Sequence, residues 1–286
     1  MKPAPFAYVR PEGLDGALAA LAQHGEAARP LAGGQSLVPM LALRLARPSV
    51  LVDLNRIPGL AGVTEFGDEI RIGAMTRQAA LLAHPVIQRR LPLLAQALGF
   101  VGHPPTRARG TIGGSLAHAD PAAELPVAMV ALDARMVVGG GAGAREVAAE
   151  AFFRGSFTTD LRDGELLTEI RIPLRVATGA GFAEIARRQG DFALAIAAAL
   201  LVCDAEGRCS EARLVLGAVG PVPVRCTAAE ASLRGRVPDA AAIAEAVSLL
   251  PEDAVEFDTH GAGLAWRRHV AAVLARRALA GAAAWT

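Results

Sequence analysis

A serine, a histidine and two carboxylates crowd behind a pair of glycines in the stretch Thr111 to Pro126, which reads TIGGSLAHADPAAELP. Gly113 and Gly114 carry no Cβ, so a ligand or another backbone can approach them closely and φ can turn positive. The Ala-rich run behind them reads as helix. A loop entering a helix start offers N–H groups and the positive end of a dipole to an anion. A segment of similar make-up lies upstream, Ala32-Gly33-Gly34-Gln35-Ser36-Leu37. Two glycine pairs, each followed by a small polar residue and a helix, point to the two banks of one diphosphate site. Arg107 and Arg109, just ahead of the second pair, either serve phosphates or lie on a solvated face.

The same residues suggest other chemistries. Gly113-Gly114-Ser115-Leu116-Ala117 approaches the G-x-S-x-G nucleophile elbow, with Ala in the last place. His118 is too near in sequence to be the usual triad base, so Ser115 is expected to hydrogen-bond a cofactor or cap a helix. His118, Asp120 and Glu124 are possible metal ligands, but the chain has no HExxH or HxH pattern. A capping Asp120 and a solvent-facing or sugar-binding Glu124 fit better than a metal site. His24, His84, His103, His260 and His269 are scattered and suit surface or helix-end positions. Val137 to Ala144 (VVGGGAGA) mimics a dinucleotide fingerprint, yet it leads to Phe152-Phe153 through short residues without the required helix, second parallel strand and acidic residue. It reads as a hairpin turn.

The elements that must position these residues follow from periodicity. Leu14, Leu18 and Leu21 recur at helical spacing, with Gly25 closing the helix. Pro30 to Ala32 reads as a short strand, Ser36 as the N-cap of a helix through about Leu45, and Ser49 to Leu54 as a buried strand. This alternation predicts a small parallel unit. Leu60 to Phe66 and Glu69 to Gly73 form a hairpin at Gly67-Asp68; Thr76 caps a helix, and Pro85 and Pro92 divide the following Leu-rich region. Ala122 to Leu132 is helical, and Leu166 to Ile172 is a strand ending at Pro173. Leu174 to Ala180 has the character of a linker. Beyond it come strands at Phe182 to Arg187, Phe192 to Cys203 and Arg213 to Val219, then helices at Thr227 to Leu233, Asp239 to Leu250 and Gly263 to Ala282. Strands first and helices afterwards predict a separate α+β domain.

Composition sets the outer limits. A chain of 286 residues with 52% hydrophobic and 20% charged residues is globular, and large enough for one large or two ordinary domains. A net charge of +1 and an aromatic content of 4% argue against nucleic acid as a partner. Cys203, Cys209 and Cys226 cannot complete a four-thiolate zinc or iron–sulfur site within the chain. An odd cysteine count and an N-terminus, MKPAPFAYVRP, without an apolar h-region lead to the expectation of a reducing cytoplasm. The longest apolar run, Phe192 to Cys203, is too short to be a transmembrane helix.

AGGQSL (Ala32 to Leu37) and RGTIGGSLAHADPAAELP (Arg109 to Pro126) resemble the FAD-binding medium subunit of the molybdenum hydroxylases, the group of carbon monoxide dehydrogenase and xanthine dehydrogenase. GAMT (Gly73 to Thr76), GELLTEIRIP (Gly164 to Pro173), RRQGDFALAIAAA (Arg187 to Ala199) and LGAVGPVPVR (Leu216 to Arg225) are also similar to it, so the resemblance covers nearly the whole chain. It implies an α+β fold: a two-lobed FAD-binding domain of the vanillyl-alcohol-oxidase (PCMH) type over residues 1–175, with lobes at about 1–57 and 58–175. A smaller α+β flavoprotein C-terminal domain of the carbon monoxide dehydrogenase type would occupy 176–286. On matched positions, Ala32, Gly33, Gly34, Gln35, Ser36 and Leu37 with Thr111, Gly113, Gly114 and Ser115 would hold the diphosphate and ribityl region, and Ala117 belongs to the same cofactor-binding set. Glu124 takes the place of an acidic residue that hydrogen-bonds FAD hydroxyls, Leu167 would pack along the cofactor, and Phe192 sits where relatives place an aromatic near the isoalloxazine.

There are departures. Relatives commonly read HPQIRNRGTIGG where this chain has His103-Pro104-Pro105-Thr106-Arg107-Ala108-Arg109 before Gly110, and Ser115 replaces an Asn of some members. With no His or Cys marking a covalent link, the FAD is expected to be non-covalent. The resemblance further implies a small partner subunit with two [2Fe–2S] clusters and a large molybdopterin subunit, assembled as a dimer of heterotrimers. Substrate oxidation would occur on the large subunit, leaving no catalytic side chain or metal on this one. Rival readings are a stand-alone nucleotide-binding or assembly protein without redox activity, and a serine hydrolase built on Ser115 and His118.

Overall fold

Short apolar runs punctuated by glycine and proline fold into three main sheets in the computed structural model, which describes residues 2–174, 179–256 and 263–284. His260 and most of the segment Leu174 to Ala180, read above as a linker, lie outside the described residues. The first unit runs β1 (Ala7–Val9), α1 (Leu14–His24), β2 (Ala28–Leu31), α2 (Leu37–Ala42) and β3 (Val50–Asp53). Its strand order is β1-β3-β2 and every pairing is parallel. All of β3 is buried, as befits the central strand of a covered parallel sheet. α1 buries Ala17 and Leu21 and ends at Gly25, whose φ of 50° suits a residue without Cβ. Nothing in the periodicity predicts β1, which has only three residues. α2 stops at Ala42, short of the expected Leu45, and Ser36 makes no side-chain capping bond because its backbone is already helical.

The second unit opens with the expected hairpin of β4 (Val63–Phe66) and β5 (Glu69–Gly73). α3 (Gln78–Ala83), α4 (Pro85–Arg90) and α5 (Pro92–Phe100) follow, with Pro85 and Pro92 in first turns, where a missing N–H does no harm. Thr76 does not cap α3. Its hydroxyl donates to the Gly73 carbonyl at 2.6 Å and accepts the Gly62 N–H at 2.9 Å, fastening the chain where it leaves β5, and Arg77 takes the N-cap position. Three helices surround the central motif: α6 (Pro104–Arg109), α7 (Ile112–His118) and α8 (Glu124–Ala131). The unit closes with β6 (Arg135–Gly140), β7 (Gly143–Ala148), α9 (Ala149–Phe152), β8 (Phe153–Gly155), β9 (Thr158–Thr159) and β10 (Leu166–Pro173). β10 is the middle strand of an antiparallel sheet ordered β4-β5-β10-β6-β7. The glycine run is the β6–β7 hairpin, Gly140 opposite Gly143, and opens no nucleotide-binding helix.

The third unit has β11 (Gly179–Ala186), β12 (Ala193–Cys203), β13 (Cys209–Gly217) and a short β14 (Val224–Arg225) in one antiparallel sheet, then α10 (Thr227–Leu233), α11 (Ala240–Ser248) and α12 (Leu264–Ala283). Alternation along β12 sorts its side chains to two faces. Ala195, Ala197, Ala199 and Leu201 join the core beneath α10, α11 and α12, whereas Ile196, Ala198 and Leu200 join the core of α5 and α8. A Cβ on Gly179 or Gly181 would strike the carbonyl of Ala282 or Ala278, so these glycines let α12 lie directly on β11. The α+β order is the expected one, but the sheet shares a continuous core with the preceding unit. α8, buried at every residue, is the shared element. Among the described residues no helix is long and apolar enough to cross a membrane.

Candidate functional site

The second glycine pair lies within a helix. Thr111 is the N-cap of α7, and its Oγ1 accepts the Gly114 N–H at 3.0 Å. The other N–H groups of that first turn also have acceptors: Ile112 to the Thr76 carbonyl at 3.1 Å, Gly113 to the Ala74 carbonyl at 2.8 Å, and Ser115 to the Thr111 carbonyl at 3.2 Å. The expected supply of open N–H groups at this helix start is therefore corrected, since residues 74–76 and Thr111 take it up. Neither glycine has positive φ. They are needed for close packing: a Cβ on Gly113 would lie 2.5 Å from Ala74 Cβ, and one on Gly114 would lie 2.7 Å from Thr111 Oγ1 and 3.4 Å from Ala32 Cβ.

The first glycine pair behaves as a loop. Gly34 has φ 74°, and the chain turns there into α2. Among the described residues no acceptor receives the N–H groups of Gly33, Gly34, Gln35, Ser36 or Leu37. Consecutive N–H groups left open around a left-handed residue form a concave anion site. Gly33 packs against the other segment, where a Cβ would collide with the Arg109 carbonyl and come within 2.8 Å of Gly110 Cα. The two glycine segments thus touch, one with open donors and one with a smooth face.

Both segments border one cavity of about 910 Å³, near the upper end of the ~300–1,000 Å³ range of small-molecule and cofactor sites. All of Ala32, Gly33, Gly34, Gln35, Ser36, Leu37, Thr111, Gly113, Gly114, Ser115, Ala117, Glu124, Leu167 and Phe192 line it. Phe192 stands just before β12 and is 74% exposed, so one wall comes from the third unit. Gly190 in the same loop, with φ 84°, sits against the His103 ring, where a Cβ would be 2.5 Å from Cε1. The cations of the lining are Arg29 and Arg187. Arg107 and Arg109 are not among them: the Arg107 guanidinium donates to the Val101 and Gly102 carbonyls at 2.8 and 3.0 Å. Arg187 was visible within RRQGDF, but nothing local marks Arg29.

Glu124, the first residue of α8, is 8% exposed and faces the cavity instead of solvent. Burial pushes its carboxyl up to about 7, Asp120 adds to this, and its own backbone N–H and Arg107 oppose it. Glu184 on β11 is pushed up to about 8 by burial and by the charge of Glu124. Burial pulls His118 below its ordinary value against the charge of Asp120, and its ring lies 5.1 Å from that of Phe157. Asp120 caps a turn and not a helix, accepting the Ala122 N–H at 2.9 Å. Ser115 is neither a cap nor an elbow nucleophile. It shares α7 with His118, with no hydrogen bond between the two side chains, so the hydrolase geometry is missing among the described residues. No group of His, Cys, Asp or Glu among the described residues is placed to hold a metal ion. The cavity thus combines a run of open N–H groups, a closely packed glycine face and a buried carboxyl.

The chain resembles known proteins over nearly its whole length. A family model described as the FAD binding domain in molybdopterin dehydrogenase matches residues 4–175, and one described as the CO dehydrogenase flavoprotein C-terminal domain matches residues 180–282. The carbon monoxide dehydrogenase medium chain of Afipia carboxidovorans is 40% identical over 287 residues, covering 96% of this chain and 99% of that one. Subunit alpha of the 6-hydroxypseudooxynicotine dehydrogenase complex of Paenarthrobacter nicotinovorans is 45% identical over 231 residues, 80% and 78% of the two chains. A chain of reconstituted CO dehydrogenase from Oligotropha carboxidovorans superimposes with a TM-score of 0.96 at 38% identity, covering all of both chains.

Proposed function

Because this chain belongs to the FAD-binding medium subunits of the molybdenum hydroxylases, we propose that it passes electrons from partner [2Fe–2S] clusters, through its FAD, to an external acceptor. The flavin supplies the redox chemistry, taking up electrons singly and releasing them as a pair; the protein binds and orients it. The observation that supports this reading is the run of residues with open N–H groups, Gly33 to Leu37, that borders one cavity together with the glycine surface of α7. Those N–H groups would hold the diphosphate, with Thr111, Gly113, Gly114, Ser115 and Ala117 as the opposite wall. The Glu124 carboxyl would meet FAD hydroxyls, Leu167 would pack along the cofactor, and Phe192 would stand beside the ring system. No His or Cys is assigned a bond to the flavin, so the cofactor is non-covalent.

The partners on this reading are a small [2Fe–2S] subunit and a large molybdopterin subunit, in a dimer of heterotrimers in the cytoplasm. Domains are assigned at 1–175 for FAD and 176–286 for the flavoprotein C-terminal unit. The test is to purify the full chain with whatever accompanies it, record its visible spectrum and titrate the apo-form with FAD. A flavin spectrum, saturable uptake and co-purifying iron–sulfur and molybdopterin chains are expected. A colourless chain that takes up no added FAD would remove the reading.

A further inference from the structure

Two side chains outside the cavity lining join the glycine segments. Asn55 follows β3; its Nδ2 donates to the Ala32 carbonyl at 2.9 Å and to Asp53 Oδ1 at 2.5 Å, and its Oδ1 accepts from Arg77 Nη2 at 2.6 Å. The reverse amide orientation would set oxygen against oxygen, so this assignment is the chemically consistent one. Arg77 Nη1 in turn donates to the Arg109 carbonyl. That carbonyl is the atom against which Gly33 packs. The first glycine segment, at Ala32, is therefore tied through Asn55 and Arg77 to the residue that introduces the second.

We propose that Asn55 and Arg77 are positioning residues for the cofactor, a two-residue clamp that sets the separation of the glycine segments and thereby the affinity for the diphosphate. The proposal rests on the FAD reading above. The clamp has its own anchor: the Tyr8 hydroxyl donates to Asp53, and Asp53 Oδ1 also accepts the Asn55 N–H at 2.9 Å. Burial and the Arg109 guanidinium work against the charge of Arg77, while Asp53 favours it. A planar guanidinium suits the place because Nη1 and Nη2 donate in fixed, separate directions, whereas an ammonium offers all its donors from one atom. Neither residue carries chemistry, so both would act through the backbone they hold.

The test is FAD binding by the full-length apo-chain, followed by quenching of flavin fluorescence, in the wild type, R77M, N55A, the double variant and R77K. R77M and N55A are expected to weaken binding roughly tenfold, the scale of one lost charge-assisted hydrogen bond. The double variant should be little worse than the weaker single, because both break one clamp. R77K, which keeps the charge but holds its donors on one nitrogen, should fall between wild type and R77M. N55A is the check if R77M does not fold, and matching far-UV spectra establish that the variants compared are folded. Unchanged affinity in the folded variants, or losses that simply add, would overturn the clamp while leaving the FAD reading intact. A wild-type chain that binds no FAD would instead sink that reading.

Discussion

Glu124 shows what burial does to one side chain. A carboxyl that is 8% exposed and pushed up to about 7 keeps its proton in the folded chain well above the pH at which the unfolded chain releases it. Its folded value lies above its ordinary 4.5, so the folded state binds more protons between those two limits. Stability is therefore full below about 4.5 and is lost as pH rises toward about 7. The loss is on the order of 3 kcal/mol. Replacing Glu124 with Gln should leave the melting temperature of the apo-chain unchanged near pH 4.5 and raise it by roughly 5 °C at pH 8. Glu184, which feels the charge of Glu124, should then titrate at lower pH. Melts of both chains across this range decide the matter, and parallel curves would refute the assignment.

At the scale of elements, the organising feature is a strap. Residues 74–78 run beside 110–113, with the Ala74 and Thr76 carbonyls accepting from Gly113 and Ile112, and the Gln78 N–H donating to Gly110. Arg77 and Thr111 face each other as an antiparallel bridge. This strap starts α7 without help from a ligand, and the two glycines have separable duties within it. Gly113→Ala would press a methyl group onto Ala74 backbone that cannot move aside. It should cost about 1–3 kcal/mol of stability, as overpacking does. Gly114→Ala meets a Thr111 hydroxyl that can rotate away. It should cost about 1 kcal/mol for the weakened cap and weaken FAD binding by narrowing the gap to Ala32. Urea unfolding and FAD titration of the two variants measure these separately; a larger stability loss in Gly114→Ala than in Gly113→Ala, or unchanged FAD affinity in Gly114→Ala, would contradict the division.

Across the whole molecule, α8 decides how the units stand. It is buried along its length, with Val127 against Gly217 of β13, and its neighbours in the core include Ile196, Ala198 and Leu200 of β12. The loop that brings Arg187, Asp191 and Phe192 to the cavity leads directly into β12. A fragment ending at Leu174 would expose the apolar face of α5 and α8 and lose one wall of the cavity. It should bind the dye ANS, self-associate, and take up FAD at least tenfold more weakly than the full chain, as sizing chromatography and titration will show. A monodisperse fragment with undiminished FAD affinity would mean that the units are independent.

Much was legible from local pattern. The parallel first unit, the β4–β5 hairpin, the proline-divided helices, the hairpin nature of the Val137–Ala144 run and the strands and helices of the third unit all follow from periodicity and punctuation. Their similar make-up, each followed by a small polar residue and a helix, also brought the two glycine pairs together in one hypothesis. Sequence did not show which pair keeps its N–H groups open, because that depends on whether a distant segment supplies acceptors: residues 74–76 and Thr111 close α7, and among the described residues none closes Gly33 to Leu37. Nor did it show that Arg107 serves its own loop while Arg29 and Arg187 border the cavity, or that Glu124 is buried. Glycine and proline act within a few residues of themselves, so their effects are written locally. Burial, donor satisfaction and charge environment are set by segments far apart in the chain, and only the tertiary structure brings those together.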